Sequence, residues 1–163
     1  RALRKFLTDH AFKPAPYPTS LELVNDFRAE APADKQQLIT DLFEKITLYD
    51  FKTKSAVARR RPDGRWDVTL TVDAKKLYAN GQGKETEAPL TGETVDVGVF
   101  TAEPGKKGFS AKDVLSMQRQ PIRTGVQTYT VTVAAKPAFA GVDPYNKRID
   151  RDSEDNDIKV TGG

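Results

Sequence analysis

The chain has 163 residues, with 26 Lys and Arg against 23 Asp and Glu, a formal net charge of +3, one His and no Cys; that length is one domain, or one with a small appendage. Without Cys and with His10 as the one imidazole, it cannot build a zinc finger, a cysteine nucleophile or a two-His zinc site, and a Ser-His-Asp triad would have to use His10. Charged residues make up 30% of the chain, and no apolar run approaches the ~18 residues that a membrane span requires, so a soluble segment is expected.

Leu3, Phe6 and Leu7 recur at helical spacing, and the pattern stops at Pro14, Pro16 and Pro18. The basic stretch Arg1 to Leu7 has no long apolar region or small-residue cleavage site, so it is not read as a signal peptide. A start without Met, inside a helix-like pattern, reads as an excerpt of a longer protein. Thr19-Ser20-Leu21-Glu22 is a capping box opening a second helix, whose Leu21, Val24 and Phe27 share a face. Pro32, with Asp34 in the following turn, starts a third, with Leu38, Leu42, Phe43 and Ile46 as its stripe.

From Thr47 the period changes to two. Leu48 to Val72 is expected to form a hairpin, its turn at Arg61-Pro62-Asp63-Gly64-Arg65, with Trp66, Val68, Leu70 and Val72 on one face. Asn80-Gly81-Gln82-Gly83 breaks the chain before a short strand near Thr86. Val95, Val97 and Val99 form another strand, ended by Glu103-Pro104-Gly105-Lys106-Lys107-Gly108. Val114 to Met117 and Tyr129 to Val133 complete a series of six or seven short strands at sandwich spacing. The expected fold is therefore mainly β: an antiparallel, immunoglobulin-like β-sandwich over 47–163, preceded by a short helical segment over 1–46.

Candidate chemistry is sparse. His10, at the end of the first helix, is read as structural or solvated. Arg59, Arg60 and Arg61, with Arg65 across the turn, could meet phosphates. Their side chains alternate in direction along a strand, however, and no aromatics are interleaved, so the cluster reads as a solvated hairpin tip and no nucleic-acid partner is expected. The run Asp150 to Asp157 touches the calcium-loop pattern, but Asp155 stands where that loop needs Gly and Thr161 where it needs a bidentate Glu. A solvated acidic turn is the expectation. Glu22, Glu44, Glu85 and Glu87 lie on different elements and define no carboxylate pair. No catalytic, cofactor-binding or metal-ligating residue is assigned.

Three stretches carry more: Pro16 to Val24, Asp41 to Asp50, and Gly141-Val142-Asp143-Pro144-Tyr145-Asn146-Lys147-Arg148-Ile149-Asp150-Arg151. Together they resemble the C-terminal end of bacterial membrane proteins that carry a zinc aminopeptidase module similar to aminopeptidase N, often fused to membrane spans like those of ABC-transporter permeases. The resemblance implies a non-catalytic accessory domain: the last helices of the peptidase region and a terminal sandwich, packed on the peptidase module of the same polypeptide. It also implies a membrane-associated parent protein of the zinc-peptidase type, with this domain on the periplasmic side. The family's H-E-x-x-H motif has no match here, so zinc belongs to residues outside this chain. The Asp143 to Arg151 motif either closes the sandwich or docks on a neighbouring domain, and both readings stay open. The alternative function is an independent immunoglobulin-like module that binds a protein or glycan through the loops at Asn80 to Gly83 and Glu103 to Gly108.

Overall fold

The computed structural model describes residues 1–162 and divides into two compact units, one spanning Arg1–Thr47 and the other beginning at Leu48.

The first unit is helical: α1 (Ala2–His10), α2 (Ser20–Glu30), a single 3-10 turn (Ala33–Lys35) and α3 (Gln36–Phe43). The capping box at the start of α2 is formed, Thr19 and Glu22 each satisfying an amide that the first turn leaves open. Polar side chains join the helices. Lys5 of α1 reaches Asp26 of α2 at 2.9 Å. Arg28 of α2 donates to Thr40 Oγ1 at 2.9 Å and to Glu44 at 2.6 Å, and Gln36 donates to the Arg28 and Ala31 carbonyls, both at 2.9 Å. The Phe27 and Phe43 rings stack at 5.6 Å. Buried apolar residues in this unit are only Ala2, Val24 and Ile39. The helical stripes are not where the apolar surface is hidden: Leu3, Leu7, Leu21 and Leu42 are 56%, 53%, 69% and 62% exposed.

The second unit is an antiparallel β-sandwich. Its first hairpin pairs β1 (Ile46–Arg60) with β2 (Trp66–Ala79), both longer than periodicity indicates. The turn closes by Arg61 N–H donating to Arg65 O at 2.8 Å, with Gly64 at φ 84°, a backbone state that a Cβ would strain. β6 (Gly125–Val133) pairs with β2 from Trp66 to Ala74, and β3 (Glu85–Ala88) pairs with it from Lys76 to Ala79, both on the side away from β1. The second sheet has the order β5-β4-β7-β8, from β5 (Val114–Ile122), β4 (Glu93–Phe100), β7 (Phe139–Val142) and β8 (Asp157–Lys159). β7 and β8 were not expected. Four residues containing Gly141, and three residues after an acidic turn, are too short to display a period.

Alternation explains the core. Val68, Leu70, Val72 and Ala74 of β2 and Val95, Val97 and Val99 of β4 are inaccessible to within 3%, and Val131, Ala140 and Val142 lie between the sheets with them. The opposite face of β4 carries a second apolar cluster. The Phe100 ring lies over Gly98, in the space that a Cβ would fill, and is met edge-on by Phe109 at 5.7 Å. No helix among the described residues is long and apolar enough to cross a membrane.

Candidate functional site

The last three residues of the motif from Asp143 to Arg151 close a sheet edge. Tyr49 N–H donates to Ile149 O and Arg151 N–H to Tyr49 O, each at 2.9 Å, and Phe51 N–H donates to the Asp150 carboxylate at 3.1 Å. Further along, Thr53 Oγ1 donates to Asn156 O at 2.6 Å, while Thr161 N–H donates to Ala56 O and Ala58 N–H to Thr161 O at 2.9 and 2.7 Å. Residues 149–161 thus form a strap running parallel to β1 and occupying the edge that β2 leaves open.

The strap and the turn that leads into it are shaped by their own acids. Asp143 and Asn146 adopt left-handed backbone, with φ 44° and 49°, and the buried Asp143 carboxylate accepts from Lys147 N–H at 3.1 Å and Arg148 N–H at 2.9 Å. Burial pushes the Asp143 and Asp150 carboxyls up, and the amide hydrogen bonds pull the other way. Asp152 caps a one-turn helix by accepting from Glu154 N–H at 3.2 Å. Asn156 is wholly buried; the amide orientation that satisfies both its ends has nitrogen donating to Phe51 O and to Asp150. The residues resembling a calcium loop therefore serve as backbone acceptors, and no group of three or more His, Cys, Asp or Glu among the described residues is placed to hold a metal ion.

Strap and sheet together border an open cleft of about 460 Å³. Asp50, Lys52, Asp73 and Lys75 line it from β1 and β2, and Arg151, Asp152 and Asp155 from the strap. Lys52 pairs with Asp155 at 2.8 Å, which raises the lysine's pKa, and Arg151 reaches Glu85 at 2.8 Å. Four carboxylates against three cations, on an exposed β face, offer charge pairing and hydrogen bonding to a polar group.

The remaining sequence candidates are dispersed. His10 ends α1 with its ring 4.8 Å from that of Phe6. Arg61 is held by Asp63 and Asp67 at 3.4 and 3.3 Å, and Arg65 by Asp63 at 2.9 Å, so half of the basic cluster is neutralised within the hairpin. Glu22 caps α2, Glu44 pairs with Arg28, Glu85 with Arg151, and Glu87 is exposed. The two loops proposed to bind a partner lie at opposite ends of the sandwich. The loop at Asn80 follows the far end of β2, four residues beyond Lys76, which meets Glu93 at the start of β4. The loop at Glu103 follows Phe100 at the other end of β4, where Phe139 pairs with it after a short connection from Val133, the partner of Trp66. They do not form one surface.

A buried polar cluster was not read from the sequence. Lys76, 1% exposed, donates to Glu93 at 2.7 Å; Tyr49 Oη donates to the other Glu93 oxygen at 3.2 Å, and the Arg148 guanidinium lies 5.3 Å from the Tyr49 ring centre. Extending the inward set Trp66, Val68, Leu70, Val72, Ala74 by one more step would have placed Lys76 inside. Compared with family models, curated proteins and solved structures, the chain matches none.

Proposed function

We propose that the chain is a non-catalytic accessory domain that packs against a zinc aminopeptidase-like module of a membrane-associated bacterial protein, on the extracytoplasmic side, and orients that module. One observation carries the reading. The helical unit turns Leu3, Leu7, Leu21 and Leu42 outward while Asp26 and Asp41 are buried, the pattern of an element whose apolar surface is completed by a neighbour. The resemblance names that neighbour as the peptidase module, and zinc and any catalytic residues reside there. The sandwich serves as a rigid body whose first edge is closed by its own strap.

The test is association with the separately expressed peptidase module of the parent polypeptide. Leu7→Asp and Leu42→Asp weaken it at least tenfold and leave the sandwich folded, as judged by the thermal transition of unit two. Unchanged association in both variants, or hydrolysis of aminoacyl substrates by this chain with added zinc, overturns the reading. A second reading, an independent module that binds a polar partner, is favoured by the charged cleft. It predicts that Lys75→Glu, rather than the leucine changes, abolishes capture of a partner when the peptidase module is deleted.

A further inference from the structure

The sandwich manages its edges unequally. β1 is covered by the strap. β3 has four residues and carries Glu85 and Glu87; β8 has three, with Asp157 and Lys159. β5 is longer but contains Arg119 and Pro121, and Pro has no amide to donate. Short, charged or proline-bearing edges resist pairing with another strand. β6 has none of these protections. Its nine residues pair with β2 on one side only, and the sequence from Thr124 to Ala135 contains no charged residue and no proline. Thr128, Thr130 and Thr132 stand exposed on the outer face, with Val126 55% exposed beside them.

The chemistry of this edge selects its partner. In an antiparallel pair related by a two-fold axis, each residue near the axis faces its own strand's residues, so any charge there meets its like. Arg119 on β5, or Glu85 and Glu87 on β3, would do so. Along β6 every such juxtaposition is neutral, threonine and valine meeting threonine and valine, residues that favour the pleated conformation. Every second residue of an edge strand also directs its amide and carbonyl away from the sheet, and the backbone of a second copy supplies the missing partners.

We propose that β6 is the edge through which two copies of this chain pair, strand to antiparallel strand, to form a two-fold dimer with one continuous sheet. This goes beyond packing on a peptidase module and does not depend on it. Sedimentation equilibrium of the full chain gives a concentration-dependent dimer, and Thr130→Lys and Thr128→Lys, which bring lysines together across the axis, weaken dimerisation at least tenfold. Thr86→Lys on β3 leaves it unchanged. Hydrogen exchange on the wild-type chain provides a reading that does not rely on a variant folding: alternate β6 amides slow by at least tenfold between dilute and concentrated samples. A wild-type chain that stays monomeric overturns the proposal, including one that captures an extended peptide along β6 instead. So does a dimer that survives both lysine variants, or one in which the alternate β6 amides exchange at the monomer rate.

Discussion

The two units are held together by different means. In the sandwich, valines and leucines from facing sheets exclude solvent almost completely, and Lys76 enters the interior paired with Glu93, while one buried oxygen of the Asp155 carboxylate has no hydrogen-bond partner. In the helical unit the order is reversed: Lys5, Arg28 and Gln36 join one helix to the next, while leucines lie in water. Exposed or partly exposed ion pairs contribute little each, about 0–1 kcal/mol, whereas a fully buried leucine contributes about 1.5–3 kcal/mol. The same residue type therefore has different consequences in the two units, and substitutions can measure the difference.

The largest expected effect is in the buried ion pair. Glu93→Gln removes the carboxylate charge that meets the buried Lys76 ammonium at 2.7 Å and should cost about 3–5 kcal/mol in urea unfolding. Replacing both partners with apolar residues of similar volume should recover most of that loss. Leu70→Ala empties a site with no solvent access and should cost about 2–5 kcal/mol, while Leu7→Ala or Leu42→Ala in the helical unit should stay within about 0.5 kcal/mol. Equal losses at Leu70 and Leu7 would erase the contrast between the units. Gly98→Ala pushes a methyl into the Phe100 ring and should cost about 1–3 kcal/mol, with the near-ultraviolet aromatic signal altered.

A pH titration sharpens the comparison within the sandwich. Burial, with Glu103 nearby adding to it and Lys106 opposing it, lifts the Asp157 carboxyl to about 6. Because the folded-state value lies above the unfolded one of about 3.9, the neutral form favours the fold. The associated stability is fully present below about pH 4 and is lost as pH rises through about 6. Asp157→Asn should remove this slope and stabilise the sandwich by about 1 kcal/mol at pH 7. The smallest effect is in the helical unit, where Thr19→Ala should cost about 1 kcal/mol or less through loss of the capping box.

Features that rest on local chemistry were legible in the sequence. The Thr19–Glu22 box, the Arg61–Arg65 turn and the alternation of Val95, Val97 and Val99 require only neighbouring residues, and each formed as expected. Features that rest on distant partners were not. Nothing near Lys76 announces Glu93, and Phe139 to Val142 becomes a strand because β4 presents an open edge to it. The acidic run from Asp150 to Asp157 resembled a cation loop in composition, yet its carboxylates accept from amides of β1 and of the strap itself, partners that no spacing rule reveals. Helical periodicity located α1 to α3, although Ile46, counted in the third stripe, begins β1, and it did not show what the apolar stripes face, because a period specifies a face and not its neighbour.

The strap also has a consequence for the order of events during synthesis. The Phe51 amide and the Asp150 carboxylate that accepts from it are 99 positions apart, so β1 and β2 leave the ribosome and can form their hairpin long before the segment that covers the β1 edge exists. Until then the nascent sandwich presents a 15-residue strand with one bare side, the state most open to wrong pairing with a neighbouring nascent chain. Final closure is a non-local step and so a slow one, and translation speed and chaperone occupancy over the last third of the sequence become determinants of yield.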